Sequence, residues 1–349
     1  MPSLRAFVED AKPVEWVVPG LVPAGLTTLI ASPAGSGKSW LLEHMAVQVA
    51  RGEDVARHFA VGAPGPVLLV DQDTPQDVLA QRLDALAPGM DIPVFVESQL
   101  GIALDTREGV ARLQALVARY QPVLVVLETL DTLTSPDFRE NYAENVNALF
   151  ASLKAMQSAY ACAMAITHHL RKPGQQGGDP ISLIRGSSAL PARADVVFAL
   201  QHHSVGHGDE HCFLVQPFPK RVQVAPPFRL KLETDNEGGQ LRRATLRWQG
   251  EWEPSMPTKL LEGVQEVEGL IDDRPAEGST VNEIKEAAGG YLSDRDIREI
   301  LRFLEQRGRV RKGVEAHNRF RFFPLEQPVD EEERVVSMSP DTFVDGDEE

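Results

Sequence analysis

The residues whose types and spacing could perform chemistry are concentrated in the loop 32–39, Ser-Pro-Ala-Gly-Ser-Gly-Lys-Ser. An apolar run precedes this loop, and an apolar helical pattern follows it directly. Gly35 and Gly37 allow the backbone to curl so that successive N–H groups face phosphate oxygens. Lys38 supplies a charge for the β- and γ-phosphates, and the Ser39 hydroxyl can ligate Mg²⁺. The loop therefore predicts a site for ATP and Mg²⁺. The predicted nucleotide-binding residues are Ser32, Pro33, Ala34, Gly35, Ser36, Gly37, Lys38, Ser39 and Trp40.

Composition and charge are ordinary for a protein that folds in water. The 349 residues are 42% hydrophobic, and no apolar stretch approaches the length of a membrane span. Two cysteines give no disulfide framework, and acidic residues near the N-terminus argue against a signal peptide, so we expect a cytoplasmic protein without a membrane partner. The formal net charge is −16, and residues 329–349 carry −8 of it, nine acidic side chains against Arg334. The rest of the chain is only mildly acidic, so a nucleic-acid partner is not excluded.

Short apolar runs alternate with helical patterns over residues 26–200, which predicts a parallel sheet with helices on both faces. Ligands of such sheets bind beyond the carboxyl ends of the strands. The side chains that follow predicted strand ends are Asp71, Asp73, Glu128, His168 and His169. Asp105 and Glu108 have the spacing of a capping box, and the strand before the two histidines is predicted to begin at Ala161.

The periodicity changes in the second half of the chain. Apolar residues alternate with period two from 212 to 250, which predicts antiparallel hairpins that extend the sheet. After Pro257, three amphipathic helices precede an alternating hairpin, the order of a winged helix-turn-helix. We predict an α/β ATPase domain at 1–250, a linker helix at 251–276, a winged helix-turn-helix at 277–325 and a disordered acidic tail at 326–349.

Six motifs, in this order, resemble the RecA-like ATPases of the RepA-type hexameric helicase group. They are residues 16–23, 32–39, 67–73, 124–128, 168–172 and 185–190. The resemblance covers about residues 14–235, and the phosphate-binding loop is the one motif that is specific by itself, although Ser32 replaces its usual opening Gly. The resemblance implies a RecA-like fold, a homo-oligomer with a hexameric ring favoured, and ATP hydrolysis coupled to work on DNA during replication.

The resemblance also implies a catalytic role for residues at the strand ends. Glu128 would hold Mg²⁺ through water where the group usually has Asp, with Asp131 as a second candidate. Asp73 would orient the attacking water where Glu is usual, and Lys38 would act on the transferring phosphate. His169 would sense the γ-phosphate, although a histidine pair at a strand end can also be structural. Fast and weak hydrolysis both stay open. The predicted metal ligands are Ser39 and Glu128.

Positive side chains indicate further contacts in the ATPase domain. The resemblance implies that Arg171, Lys172 and Arg185 face a central channel and contact single-stranded DNA. Lys220 and Arg221 resemble the pair that these ATPases insert into the site of a neighbouring subunit. The alternative at each place is a solvated basic loop or turn.

The winged module has a basic surface of its own. Arg298 and Arg302 lie on one stripe of its last helix, and Arg311 and Lys312 lie on the hairpin. These side chains are candidates for duplex DNA contacts, although winged helices also bind proteins. The acidic tail is a candidate for docking onto a basic partner.

The segment His202–Cys212 contains four histidines and one cysteine, all of which could ligate zinc. It lacks a recognised ligand spacing and falls at a predicted hairpin turn, which favours a structural turn.

The sequence leaves two main functions to compare; a small-molecule kinase is a third, for which the sequence offers no acceptor-substrate site. The leading prediction is an oligomeric ATPase that acts on DNA as a helicase or translocase. The alternative is a nucleotide-switched DNA-binding regulator or helicase loader with weak ATPase activity.

Overall fold

The computed structural model describes residues 3–11, 13–170, 183–186, 188–202, 211–252, 260–290, 292–315 and 319–325. The chain divides into two compact units, Met1–Trp252 and Glu253–Glu349. Each unit has its own hydrophobic core. Within these described ranges, no helix is long and apolar enough to cross a membrane.

Strands and helices alternate along the first unit. Its helices are α1 (Leu4–Glu9), α2 (Lys38–Arg51), α3 (Gln76–Leu86), α4 (Arg107–Tyr120), α5 (Ala143–Tyr160) and α6 (Ala189–Arg193). Its strands are β1 (Trp16–Val18), β2 (Val22–Pro23), β3 (Thr27–Ser32), β4 (Val67–Asp71), β5 (Val94–Ser98), β6 (Leu124–Glu128), β7 (Ala163–His169), β8 (Val196–His202), β9 (Cys212–Pro219), β10 (Phe228–Glu237) and β11 (Gln240–Glu251).

Nine strands of the described part of this unit form one sheet, in the order β11-β10-β9-β8-β3-β7-β6-β4-β5. Strands β3 to β8 pair with each other in parallel, and β9, β10 and β11 extend the sheet in antiparallel pairing. Strands β3, β4 and β6 are buried along their whole length. Burial on both faces explains why these strands read as continuous apolar runs in the sequence.

Helices cover both faces of the sheet, and the sheet separates two apolar clusters. Val67 and Leu69 of β4 pack in the cluster that contains side chains of α2 and α3. Leu68 and Val70 point to the opposite face, into the cluster that contains side chains of α4 and α5. The predicted architecture is therefore confirmed: a RecA-like parallel sheet with flanking helices and an antiparallel hairpin extension.

Helix α4 shows that the predicted capping box at Asp105 was wrong. Thr106 is the N-cap, because its hydroxyl accepts the Gly109 N–H at 3.0 Å. The Asp105 carboxylate instead accepts hydrogen bonds from the backbone N–H and the hydroxyl of Ser135, at 2.7 and 2.6 Å. Asp105 thus joins two loops rather than capping the helix.

Strand β7 begins at Ala163, two residues after its predicted start. Ala161 has a φ of 54° and is the left-handed C-cap of α5, so it cannot be extended strand. The strand also continues through both histidines to His169.

The second unit consists of α7 (Leu261–Asp272), α8 (Val281–Ala287), α9 (Asp294–Gln306), β12 (Val310–Glu315) and β13 (Arg319–Pro324). Capping boxes open α8 at Thr280 and α9 at Ser293. Val267 of α7 shares one buried core with Ile297 of α9 and with Phe322 of the hairpin β12–β13. These are the predicted elements, and their classification as a winged helix-turn-helix stays a prediction. The acidic tail lies outside the described residues.

We expect Leu68→Ala to lower the free energy of unfolding by about 3 kcal/mol, because the side chain is fully buried between the sheet and the helices on one of its faces, and truncation leaves a cavity. Urea titration followed by tryptophan fluorescence measures this loss, since all four tryptophans precede residue 253. Val96→Ala on the edge strand β5, where the side chain is 40% exposed, is the control and should cost far less. Equal losses would contradict the assigned burial.

Candidate nucleotide site

The phosphate-binding loop lies between the end of β3 and the start of α2, at the carboxyl edge of the parallel strands. Gly35 and Gly37 have φ values of +76° and +80°, which residues with a Cβ rarely adopt. A Cβ on Gly37 would also lie 2.5 Å from the ring of Phe213. Glycine at position 37 is therefore required both by the backbone conformation and by the close approach of β9.

Ser39 and Glu128 meet behind the loop. The Ser39 hydroxyl donates a hydrogen bond of 2.6 Å to Oε1 of Glu128, the last residue of β6. Glu128 is 2% exposed, and its Oε2 has no hydrogen-bond partner among the described residues. Burial raises the pKa of Glu128 to about 7, although the hydrogen bond from Ser39 and the charge of Lys38 act against the rise.

This pair fits a magnesium site. A hydroxyl and a carboxylate are the oxygen ligands that Mg²⁺ prefers, and the unpartnered Glu128 Oε2 leaves an acceptor for one of its waters. The ion would also favour the ionised form of the buried carboxylate. Asp131, the second candidate for this role, instead contacts His168 and Arg185.

Asp71 is the last residue of β4, and Gln72 and Asp73 follow it; the three side chains have different surroundings. Asp71 is buried, and its Oδ1 accepts the backbone N–H groups of Asp73 and Thr74, both at 2.8 Å. Gln72 binds backbone groups of two other loops, since its amide contacts Ile102 and the Thr132 carbonyl. Asp73 is exposed and lines the cavity over the phosphate-binding loop. Of these two carboxylates, Asp73, which is predicted to orient water, lines the cavity, whereas Asp71 stabilises the turn.

A cavity of about 700 Å³ opens over the phosphate-binding loop. Residues on its wall include Lys38, Ser39, Trp40, Asp73, Arg82 and His169, together with His202, His211 and Phe213. The cavity therefore collects predicted side chains from four separate segments around one volume large enough for a nucleotide.

The two histidines at the end of β7 face different neighbours. His169 is half-buried and lines the cavity, and burial followed by the charge of Lys38 lowers its pKa. His168 is fully buried, with Nε2 at 2.9 Å from the Arg185 carbonyl and Nδ1 at 3.1 Å from Asp131 Oδ1. This placement favours His169 as the residue near phosphate, and its role as a sensor stays a prediction.

Comparison with known proteins agrees with this geometry. Residues 4–175 match the family model AAA_25, which describes an AAA domain. The match covers 172 of the 349 residues. The solved structure of another protein's ATPase domain is similar at 15% sequence identity, with a TM-score of 0.45, over 62% of this chain and 84% of that chain. The match to the family supports an ATPase with a nucleotide site at the loop 32–39.

At the carboxyl edge of the parallel strands, Arg185 joins the loop after β7 to two acidic residues. Its guanidinium lies 3.3 Å from Asp131 Oδ2 and 3.0 Å from Glu140 Oε1. The pKa of Asp131 is lowered, mainly by its contact with His168. Arg185 is exposed, so it could also contact a partner. Arg171 and Lys172 lie outside the described residues, and their predicted DNA contacts stay predictions.

Lys220 and Arg221 lie at the opposite edge of the sheet from the phosphate-binding loop. Strand β9 runs antiparallel to β8, so that Pro219 pairs with Val196 at the start of β8. Arg221 forms an ion pair with Asp195, and Lys220 donates a hydrogen bond to the Pro191 carbonyl. Neither side chain can reach the nucleotide site of its own protomer, because the full length of β3 lies between.

In the second unit, the predicted DNA-contacting side chains are all exposed. Lys312 lies 3.7 Å from the ring centroid of Phe320, and the guanidinium of Arg311 lies 4.7 Å from that of Phe323. Arg298 and Arg302 make no ion pair or hydrogen bond with other described residues. The structure thus leaves these cations on the surface, and their DNA contacts stay predictions.

Arg82 is a cavity residue that the sequence did not reveal. Its guanidinium lies 5.2 Å from the Trp40 ring and 3.3 Å from Oε1 of the buried Glu43. Burial raises the pKa of Glu43 to about 7, and Arg82 opposes this rise. Arg82 and Glu43 are 39 positions apart, on different helices, so no local pattern indicated their contact.

The histidine segment also contributes to the cavity. His202 and His211 lie on its wall, whereas positions 203–210 lie outside the described residues. A zinc site in this segment is not among the possible metal-binding groups of the described residues, where Asp131, Glu140 and His168 form one such group.

We expect Glu43→Gln to stabilise the protein increasingly as the pH rises from 5 to 7, with no further change above 7. The folded carboxyl holds its proton to about pH 7 and the unfolded one only to about 4.5, so ionisation destabilises the fold between these values. The difference from wild type should grow by about 1.4 kcal/mol per pH unit. Urea unfolding at pH 5, 6, 7 and 8 measures it.

The prediction concerns the difference between the variant and wild type, because a second group changes the stability of both proteins with pH. Burial lowers the pKa of His44 to about 4, so this residue makes the fold more stable as the pH rises to 6.5, the opposite of the effect of Glu43. Glu108→Gln on the exposed start of α4 is the control, and a pH-independent difference for Glu43→Gln would contradict the prediction.

We expect Gly37→Ala to weaken ATP binding by about tenfold or more, because alanine at this φ costs about 1–2 kcal/mol and its Cβ would displace Phe213. Titration with a fluorescent ATP analogue measures the loss. Gly89→Ala is the matched control, since Gly89 also has a positive φ but has open space around it and lies outside the cavity. Undiminished binding by Gly37→Ala would refute the assigned loop geometry.

Proposed function

We propose that this protein is an oligomeric RecA-like ATPase that couples ATP hydrolysis to action on DNA, as a helicase or translocase of the RepA type. The observation that carries the proposal is the position of Lys220 and Arg221 at the sheet edge opposite the phosphate-binding loop. Six residues of β3 at about 3.3 Å each place the two regions more than about 15 Å apart. If this basic pair acts on nucleotide, the nucleotide is therefore that of a neighbouring protomer.

The residues of the site have distinct roles in this proposal. Lys38 and the backbone of the loop bind the phosphates. Ser39 would ligate Mg²⁺, and Glu128, which it contacts, would hold the ion through water. The metal supplies charge neutralisation of the phosphates when bound. Asp73 accepts a hydrogen bond from the attacking water and orients it. His169 lies on the same wall, where it can contact the γ-phosphate.

DNA contact is assigned to two sets of cations. Arg185 lies on the loop that follows β7, next to the strand end that carries His169, so a change at the phosphate could reach this loop through β7. In the second unit, Arg298, Arg302 and Lys312 give an exposed basic surface suited to phosphate contacts.

A second candidate is a nucleotide-switched DNA-binding regulator or helicase loader. It is favoured by Glu128, whose pKa of about 7 leaves the metal-binding carboxyl partly protonated at neutral pH before the metal binds. Tight ATP binding, negligible turnover and binding to duplex DNA would select this candidate.

We expect Lys38→Ala and Arg221→Ala to be inactive alone and to regain part of the ATPase activity when mixed. The first variant keeps an intact basic pair and the second an intact phosphate-binding loop, so a mixed oligomer contains complete sites. Asp195→Asn is the matched control, since it removes the ion pair of Arg221 but keeps the arginine. No recovery on mixing, with mass measurement showing mixed oligomers, would contradict action in trans.

The helicase proposal also requires that single-stranded DNA stimulates the ATPase rate of the wild-type chain. We expect stimulation, and we expect it to be absent from Lys38→Ala. The absence of both stimulation and DNA binding would exclude the helicase proposal, whereas duplex binding without stimulation would favour the regulator.

A further inference from the structure

The second unit has a groove that nucleotide chemistry does not use. It has a volume of about 600 Å³ and lies between α9 and the hairpin β12–β13. We call it the basic groove and define it by Arg298, Leu301, Arg302, Glu305, Lys312 and Phe320. Three of these side chains are cations and one is an acid, so the groove attracts an anionic segment. Phe320 is 41% exposed and adds an apolar surface to it.

The cations of the groove are available for a ligand. Arg298 and Arg302 are exposed, one helical turn apart, and form no ion pair with another described residue. Lys312 stacks on Phe320 at 3.7 Å, which holds both side chains at the rim. Glu305 lies beside Lys312 and Arg302, which oppose the effect of burial on its pKa. The three cations therefore exceed the charge of the single acid that faces them.

The chain leaves the hairpin close to this groove. The Leu325 N–H donates a hydrogen bond of 2.9 Å to the Arg309 carbonyl, so position 326 starts at the open end of the hairpin. Lys312, a residue of the groove, pairs with Phe322 of β13, and Phe322 precedes Leu325 by only three residues. The chain that follows thus begins within a few residues of the groove.

The segment after Leu325 has the complementary chemistry. Its acidic run, Asp330-Glu331-Glu332-Glu333, lies five to eight residues after Leu325, and Val335, Val336 and Met338 follow soon after. At about 3.3 Å per residue, the run can reach up to about 26 Å, whereas Arg298 and Arg302 are about 6 Å apart along the helix. Four carboxylates and an apolar stretch match a groove that offers three cations and an aromatic ring.

We propose that residues 329–338 of this chain bind in the basic groove of the same chain. Single exposed ion pairs are weak, but a tethered segment is present at an effective concentration in the millimolar range, so several weak contacts suffice to fill the groove. Because the groove contains three of the cations assigned to duplex DNA, the segment would compete with DNA there. This last consequence rests on the proposed function, whereas the binding itself does not.

The experiment uses the full-length chain and a fluorescent synthetic peptide of residues 326–340. In one variant the proximal acids are neutralised by Asp330→Asn, Glu331→Gln, Glu332→Gln and Glu333→Gln. In the matched control the distal acids are neutralised by Asp345→Asn, Asp347→Asn, Glu348→Gln and Glu349→Gln, with the same change of net charge. We expect the proximal variant to bind the peptide about tenfold more tightly than wild type or the distal variant, because its groove is vacant.

The binding surface is tested in the proximal variant. Arg298→Glu should reduce peptide affinity about tenfold, whereas Arg295→Glu, on the same helix but outside the groove, should change it little. An unchanged far-UV circular dichroism spectrum and an unchanged thermal unfolding profile show that both units of each variant are folded.

Several outcomes would overturn the proposal. Equal effects of Arg298→Glu and Arg295→Glu would indicate general charge attraction, and equal peptide affinity of wild type and the proximal variant would show that the segment does not fill the groove. Self-association of the wild type that disappears in the proximal variant would assign the segment to a second copy.

A separate outcome concerns the proposed function alone. Duplex DNA binding that is absent from every variant, with peptide binding as expected, would reject the DNA-binding role and leave the proposal that the segment binds the groove standing.

Discussion

The in-register pairing of the parallel strands is the constraint on which the nucleotide site depends. Ser32 pairs with His169 across β3 and β7, and Asp71 pairs with Glu128 across β4 and β6. A shift of one residue in either pair would turn the polar strand ends toward the opposite face and bring apolar side chains to the loop. The site is therefore a consequence of sheet register, which two apolar clusters enforce from both faces.

Burial of carboxylates next to the phosphate-binding loop is the main electrostatic cost of this arrangement. Glu43 and Glu128 are each 2% exposed, and for both the largest influence on the pKa is the loss of water. Arg82 partly compensates Glu43, and Lys38 partly compensates Glu128. A divalent cation at Ser39 and Glu128 would supply positive charge next to this buried carboxylate. We therefore expect metal binding to stabilise the folded protein as well as the bound nucleotide complex.

The sequence predicted the fold and the phosphate-binding loop because their signals are local. Strands such as β6 are apolar over consecutive residues, and the loop is recognised from eight adjacent positions. Asp71 and Asp73 are two residues apart and look equivalent in the sequence; the turn after β4 separates them by directing Asp71 to backbone N–H groups. The contact between Arg82 and Glu43 is not local at all, so no periodicity could indicate it.

Strand β9 has an additional consequence for an oligomer. Phe213 near its beginning packs against Gly37 of the phosphate-binding loop, and Lys220 follows its other end, seven residues and about 23 Å away. A strand paired on both sides within a sheet is stiff. Strand β9 therefore links the phosphate-binding loop of its own protomer mechanically to Lys220 and Arg221, the residues proposed to contact the neighbouring protomer. In the proposed ring, a displacement of Phe213 by nucleotide would be passed from one site to the next along a single strand.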